Sequence, residues 1–576
     1  MRDRNLPSAK LSVRLWQGAA VLGAAAVISK VLGTIQKIPL QNIAGDGVFG
    51  IYNAVYPLYT FMLVLATAGI PIAVSKFVSE AMALGREREA ERVFRLANRL
   101  MTASGVIGFA LLYFGAPAIA GWIGDAQTAW AIRSIAFAML FMPLTAVLRG
   151  YFQGLQDMVP TAVSQVAEQF VRVAVMVTLL LLLVGRGASD AAIAAGATFG
   201  STAGSVAALA AAWWFWRAHR RGGAGAGVRA ARGGGADAGE RGAAGADRSV
   251  SEPVGEVSEA ERSLSGGATS EPEAGGPIRV KACDTATRSA AAGASQPQEL
   301  DRESTASLLR RFATFALPVS LGAVALPLLT LVDTFTMPRL LQHDGLGEAA
   351  AMAEFGLYNH GLPLVQLVSM IVTTMSVALV PAMNEARLRG DWETIRRQTG
   401  TVLRLGWMIG LAASVGLALL ARPMNIMLFS DAAGSGVMAI LACTTAFGVL
   451  QIVSGAVLQG LGAERTPVYG LLVAVAVKIG LNLLFMPLWG IHGAAVAAVA
   501  AYAAAAATNG IRLSRMLQAR PAWGRDALRP ALAAAGMAAG LALWLAAAAW
   551  ALRALPFAPP ERAAQTVVAL SATAGG

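Results

Sequence analysis

Two ten-residue stretches limit what this chain can fold into more than any other feature: Phe49–Leu58, reading FGIYNAVYPL, and Phe355–Leu364, reading FGLYNHGLPL. Six of the ten positions are identical, and the separation is 355 − 49 = 306 residues. Two further pairs keep the register. Glu80–Gly85 (EAMALG) matches Glu385–Gly390 (EARLRG) at an offset of 305, and Phe152–Gln156 (FQGLQ) matches Leu458–Gly462 (LQGLG) at 306. Three matches in one order indicate a duplicated half. Function is then to be sought where the copies face each other.

The copies are membrane units. Of the 576 residues, 56% are hydrophobic and 14% charged, with mean hydropathy +0.57, whereas soluble domains carry about a quarter charged residues. Apolar runs of about twenty residues recur, each able to cross ~30 Å of hydrocarbon as a helix. The short alternating segments of a membrane β-barrel are not seen. The expected fold class is therefore all-α polytopic.

The runs place helices near 15–38, 48–74, 96–121, 131–152, 160–184 and 191–216, then near 311–337, 357–383, 401–421, 436–459, 466–487 and 491–514. A thirteenth follows at 528–552, and a short stub after Glu561. Residues 217–306 are rich in Gly, Ala, Ser, Glu and Arg without periodicity and read as a disordered cytoplasmic linker. The expected division is an N-lobe at 1–216, the linker, a C-lobe at 307–518, and two peripheral helices in 519–576.

The net charge of +12 follows membrane topology and does not call for a nucleic-acid partner. Lys76, Arg86, Arg95, Arg387, Arg397 and Arg512 stand on loops of one side, which the positive-inside rule places in the cytoplasm together with the N-terminus. An even number of spans per half gives the copies one orientation, related by an axis along the membrane normal. The FGxYN stretches then lie at the outer mouth. Arg2, Arg4, Lys10 and Arg14 before an apolar run resemble a signal peptide, but Lys30 interrupts the run, so it reads as an uncleaved first span. Cys283 and Cys443 suggest neither a disulfide nor a metal site.

Ionisable groups at membrane depth are costly and so mark candidate sites. Lys30 and Lys37, seven residues apart, share a helix face. Gln165, Glu168, Gln169 and Arg172 form a polar stripe at spacings of three and four. These six are the candidate cavity residues. Asp333, Lys478 and Asn482 form a second group, either an ion-coupling site or a charge pair. Bland readings stand beside these: Lys37 could snorkel to the interface, Glu168 and Arg172 could be a private i,i+4 pair, and Asp333–Lys478 could simply tie two helices together. Tyr52–Asn53 and Tyr358–Asn359 read as helix-entry or packing features. Gly69, Pro71, Pro318, Pro327 and Pro363 are expected to bend helices. The four histidines are widely separated, and no P-loop or carboxylate constellation exists. An enzyme, a cofactor and ATP as fuel are not expected.

ISKVLGTIQKIPL (Ile28–Leu40), GIPIAVSKFVSEAMALG (Gly69–Gly85), RGYFQGLQDMVPTAVSQVAEQFVRV (Arg149–Val173) and LVDTFTMPRLL (Leu331–Leu341) resemble the stage V sporulation protein B family. That family lies in the polysaccharide-transport branch of the multidrug/oligosaccharidyl-lipid/polysaccharide (MOP) exporters and is related to MurJ-type lipid II flippases. The resemblance implies fourteen helices in two six-helix lobes around a central cavity, plus two peripheral helices. It also implies alternating access that carries an undecaprenyl-pyrophosphate-linked peptidoglycan precursor across the bilayer. Lys30 matches the basic position of the S-R/K-V-L-G motif and is assigned to pyrophosphate contact. Departures are Gln36 at the motif's second basic position, and no counterpart of the arginines that MurJ-type proteins carry on helices 2 and 8. In some relatives a sodium ion lies between helices 7 and 11, where Asp333 and Asn482 offer oxygens but Lys478 intrudes. The implied partners are a lipid-linked glycan, membrane lipids and wall-synthesis proteins, and the implied state is a monomer. Sodium or proton coupling stays open. Other readings are export of a different lipid-linked oligosaccharide, a MATE-like multidrug antiporter, and a non-transporting scaffold that recruits wall-synthesis enzymes.

Overall fold

A computed structural model describes residues 8–67, 69–233, 305–518, 523–554 and 560–575. The chain separates into two units, Met1–Arg217 with Leu309–Gly576, and Ala218–Leu308. Every regular element among the described residues is a helix. Eleven stretches are long and apolar enough to cross a membrane, and the chain is a multi-pass membrane protein.

In the first half the helices are α1 (Ser8–Ile35), α2 (Lys37–Thr67), α3 (Ile70–Ala83), α4 (Glu87–Ile123), α5 (Thr128–Ala136), α6 (Ala138–Gly154), α7 (Val159–Gly185) and α8 (Asp190–Gly233). The second half begins with α9 (Thr305–His343), α10 (Glu348–Asn359), α11 (Leu362–Leu388) and α12 (Trp392–Leu419). It continues with α13 (Ala421–Phe429), α14 (Ser435–Ala442), α15 (Thr444–Gly460), α16 (Arg465–Trp489) and α17 (Ile491–Leu517), followed by α18 (Trp523–Ala554) and α19 (Glu561–Gly575).

Several boundaries differ from the apolar runs, for physical reasons. The loop expected between 38 and 48 shrinks to a single break inside α2, where Gly45 has φ 80° and ψ 176°. Only glycine reaches that region without a steric penalty. The apolar stretch Ala20–Ala83 would measure about 96 Å as one helix, roughly three bilayer cores, so a reversal inside it is required. α4, α10 and α12 begin at Glu87, Glu348 and Trp392, well before the expected 96, 357 and 401. Hydropathy marks only the part in hydrocarbon, while charged first turns continue each helix into water; Asp391 caps α12 by accepting the Thr394 N–H at 3.0 Å. Hydrogen bonding from Thr394, its side chain first and this backbone N–H second, holds the Asp391 carboxyl below its ordinary range. Gly69, with φ 67°, does interrupt the chain, but Pro71 and Pro363 sit in the first turns of α3 and α11 and start helices instead of bending them. α8 runs through Gly233, past the expected linker boundary at 217, and the rest of the expected linker, 234–304, lies outside the described residues. The terminal α19, with 15 residues, is about 22 Å long, shorter than the hydrocarbon core.

The duplication reappears in packing. α6 and α15 each have 17 residues and follow a break at matched positions, Phe137 and Cys443. A Cβ on Gly154 would press on Ser75 and Val78, and one on Gly460 on Val380 and Met383. Those partners are related by 305 residues, the offset of the EAMALG and EARLRG stretches.

Where the two FGxYN copies meet, α2 and α10 cross at backbone distance. A Cβ added to Gly50 would collide with the Met352 carbonyl oxygen, and one on Gly356 with that of Asp46. Each glycine and each carbonyl is its counterpart's number shifted by 306. The contact is therefore isologous within one chain, as at a two-fold dimer interface. Phe49, Tyr52, Phe355 and Tyr358 are buried around it, and Asn53 and Asn359 each donate back to their own helix, to Phe49 O at 2.8 Å and Phe355 O at 2.6 Å. Polar bonds extend the seam: Asn42 Nδ2 donates to Leu428 O at 2.7 Å, Ser430 Oγ to Asn42 Oδ1 at 3.0 Å, and Gln342 Nε2 to Gly124 O at 2.5 Å. Buried His360 has Nε2 2.8 Å from Asp46 Oδ1 and Nδ1 3.0 Å from Asn425 Oδ1. Asn425 Nδ2 is held by Ala433 O and Ser435 Oγ, so its oxygen faces the ring.

The seam makes a signed prediction. Gly50→Ala or Gly356→Ala forces a methyl into a backbone carbonyl and should lower stability by about 1–3 kcal/mol. Gly536→Ala in α18, where nothing lies within 4 Å, should leave stability unchanged or raise it by about 0.5–1 kcal/mol. Thermal unfolding of the purified, detergent-solubilised protein reads both, and equal midpoints for the three variants would refute the crossing.

Candidate functional site

The polar stripe of α7 folds against α1 and α6. Ser29 Oγ of α1 donates to Gln165 O at 3.4 Å, and Gly33, lacking a side chain, leaves room for the Gln169 amide, which would lie 3.1 Å from a Cβ there. Glu168 accepts from two guanidiniums, Arg172 Nη2 at 2.5 Å and Arg149 Nη2 at 2.9 Å. Arg149 Nε also donates to Ser164 Oγ at 2.9 Å, and Arg172 Nη1 to Tyr56 OH and Gln169 Oε1, both at 3.3 Å. Two cations share one carboxylate, so the cluster keeps one unit of positive charge. The Nε of Arg172 and the Nε2 of Gln169 are buried without a partner, which in a low-dielectric interior is costly and unusual.

Tyrosines carry the cluster toward the seam. Tyr56 stacks on Tyr52, centroids 5.8 Å apart and planes at 15°, and Gln36 Nε2 donates to Tyr52 OH at 3.2 Å. Lys37 Nζ donates to Asn53 Oδ1 at 3.0 Å; it turns inward to the repeat and does not snorkel. Lys30 is exposed, and while its backbone carbonyl accepts from Thr34 Oγ1 at 3.0 Å, its ammonium makes no hydrogen bond or ion pair with a described residue. Gln165 is half-buried, and it is its carbonyl that takes part.

The second half holds a different arrangement. Lys478 Nζ lies 2.6 Å from Asp333 Oδ2, and Tyr358 OH donates to the same oxygen at 3.1 Å. Asn482 Nδ2 approaches Asp333 Oδ1 at 3.4 Å and donates to Thr336 Oγ1 at 2.9 Å. Asp333, Lys478 and Asn482 are all buried. Here charge is balanced one to one. A sodium ion needs several converging oxygens, but the carboxylate already faces an ammonium and an amide N–H. These residues do not fit a sodium site.

The sequence-predicted residues therefore fall into two clusters, with Lys30 and Lys37 outside both and Gln165 taking part only through its carbonyl. Glu168, Gln169 and Arg172 come together, as do Asp333, Lys478 and Asn482. The Glu168–Arg172 pair is not private, because Arg149 shares it. Sequence reasoning missed Arg149, Tyr56 and the seam residues Asp46 and His360; it read Asn53 only as a helix-entry or packing feature and Gln36 only as a departure from the motif. Arg149 carried a usable signal, being the one charged residue in the seventeen-residue α6. For the second cluster, Lys478→Met should cost about 3–5 kcal/mol by leaving a buried carboxylate unpaired. Lys478→Met with Asp333→Leu should recover most of that loss in denaturant unfolding; a double variant as unstable as the single one contradicts the pairing.

Comparisons with known proteins bear on this geometry. Residues 15–227 match the family model described as polysaccharide biosynthesis protein, and residues 347–557 that of lipid II flippase MurJ. Three relatives come from Bacillus subtilis (strain 168). The "Uncharacterized membrane protein YabM" is 30% identical over 86% of this chain and 79% of its own length. Lipid II flippase MurJ is 24% identical over 84% and 80%, and stage V sporulation protein B is 31% identical over 34% and 37%. Among solved structures, lipid II flippase MurJ in an inward closed conformation superposes with a TM-score of 0.59 at 12% identity, covering 96% of this chain and 97% of that one. An inward-facing multidrug resistance MATE family transporter of the MOP superfamily also gives 0.59 at 13% identity, over 85% and 94%. At such identities the structures speak for the fold alone. The chain belongs to the polysaccharide-transport family of the MOP exporter superfamily, the family of stage V sporulation protein B and a relation of the MurJ-type flippases.

Proposed function

We propose that this protein is a flippase. It carries an undecaprenyl-pyrophosphate-linked precursor of cell-wall or spore-cortex peptidoglycan, of the lipid II kind, from the inner to the outer leaflet by alternating access. Its N-terminus is cytoplasmic and its two six-helix lobes, 1–216 and 307–518, move about the seam. The observation that carries this reading is the cationic excess around the α7 stripe: Lys30, Lys37, Arg149 and Arg172 against Glu168, while Asp46 of the same half faces His360 at the seam. A lysine left without a partner inside a span costs at least a few kcal/mol unless water or an anion reaches it. A pyrophosphate supplies the matching negative charge, and the lipid tail can stay in the bilayer. A multidrug cation antiporter of the same fold would want the opposite sign.

The roles follow from the placement. Lys30, exposed, makes first contact with the phosphates. Lys37 and the Arg149–Glu168–Arg172 cluster provide fixed positive potential behind it, with little reorganisation when the anion arrives. The seam is compatible with opening, because its side-chain bonds end on groups that water can also satisfy.

In proteoliposomes carrying fluorescent lipid II, Lys30→Ala should slow flipping at least about ten-fold, the value of one charge contact of roughly 1.4 kcal/mol, and Lys30→Arg should restore most of it. A Lys30→Ala rate equal to wild type removes Lys30 from the mechanism. Exchanging sodium for potassium should leave the rate unchanged, since Lys478 neutralises Asp333. Vesicles that take up a cationic dye but do not flip lipid II would favour the antiporter reading instead. Deleting 222–300 should leave flipping largely intact, whereas a scaffold working through that segment would lose its role.

A further inference from the structure

We propose a second anion site, separate from the charges in the spans: the cavity at the start of α16 and the end of α17 binds a phosphate-bearing lipid headgroup. The cavity measures about 670 Å³ and is lined by Arg465, Arg512 and Arg515, with Glu464, Thr466 and Tyr469. That volume is within the usual range for small-molecule sites and far exceeds what a lone phosphate needs. Three guanidiniums face one carboxylate. The three arginines are exposed and make no ion pair with a described residue, so their donors are available to an incoming anion. Gly462, at φ 75°, lets a fourth guanidinium, that of Arg387, abut the same turn, where a Cβ would collide with it.

Two observations favour a lipid over a soluble phosphate. The arginines stand at the ends of two apolar spans, Arg465–Trp489 and Ile491–Leu517. Tyr469, 60% exposed, and Ile511, 52% exposed, project beside them. A cationic rim next to exposed apolar and aromatic surface suits an amphiphile with its head at the rim and its chains alongside the helices. The duplicate half shows that the scaffold does not demand these charges. α7 and α16 begin 306 residues apart, and the positions matching Glu464, Arg465 and Tyr469 are Met158, Val159 and Val163. The basic site belongs to one copy only.

This proposal does not rest on the flippase reading, and its test needs no transport. Full-length protein in detergent is titrated with short-chain phosphatidylglycerol, with phosphatidylcholine of the same chain length, and with glycerol phosphate, and bound ligand is counted by native mass spectrometry. Phosphatidylglycerol should bind in preference to phosphatidylcholine. The combined Arg465→Gln, Arg512→Gln and Arg515→Gln variant should weaken that binding about 100-fold, at roughly five-fold per arginine. Glu464→Gln, which removes the one opposing charge and keeps all three arginines, should tighten it several-fold. Glycerol phosphate binding as tightly as the lipid would keep the anion site but overturn the lipid as its occupant. Equal binding of both lipids, or affinity that neither Glu464→Gln nor the triple variant changes, overturns the site itself.

Discussion

Everything else in this molecule depends on two helices crossing at backbone distance. Lipid tails are as apolar as leucine, so burial alone cannot hold helices of two halves together in a membrane; close packing of small residues and hydrogen bonds must do it. Gly50 and Gly356 provide the close packing, each under a carbonyl of the other half. Because each half gives the other the same contact, one duplicated sequence element builds both sides. This explains why FGxYN is the most similar stretch between copies that have otherwise diverged: a change in one copy must fit a surface the other copy also presents.

Around that crossing the two halves spend their intramembrane charge differently. The tyrosines of the repeat occupy matched positions, yet Tyr52 meets the neutral Gln36 and Tyr358 meets Asp333. Asp333 is already neutralised by Lys478, whereas Glu168 is outnumbered by Arg149 and Arg172. Breaking a buried one-to-one pair is expensive, so the second cluster favours rigidity. An over-charged cluster continues to attract an anion, because its potential is only partly cancelled.

Much of this could be read from the sequence, and the reasons are specific. The helices follow from apolar runs, because oil permits few other folds. The polar stripe of α7 and the group of Asp333, Lys478 and Asn482 stood out because such residues are rare at that depth. The seam was hidden for a different reason. Its close contact is made by glycines, which carry no side chain to notice, and by carbonyls, which every residue has. His360 looked isolated because its partners, Asp46 and Asn425, lie 314 and 65 residues away. Arg149 was passed over because it sits near the end of its helix, where an arginine is usually read as a loop charge. Helix starts were placed late since hydropathy ends where the hydrocarbon ends, although the backbone continues to wind.

The asymmetry also constrains how a moving anion would meet the protein. If both halves kept free cations, a headgroup entering between them would be attracted equally to each side and would resist their separation. In the proposed flippase, with the excess inside the spans confined to one half, the attraction is anchored on α1, α2, α6 and α7, and the opposite wall can part from it without breaking an ion pair to the cargo. What must give way for the halves to separate is then the seam: two glycine contacts and a set of bonds to Asn42, Asp46, Gly124 and His360. Each is individually modest, since a net hydrogen bond contributes about 0.5–1.5 kcal/mol. A joint made of many weak, directional contacts can hold one state firmly and still be released by a few kcal/mol of binding energy delivered elsewhere.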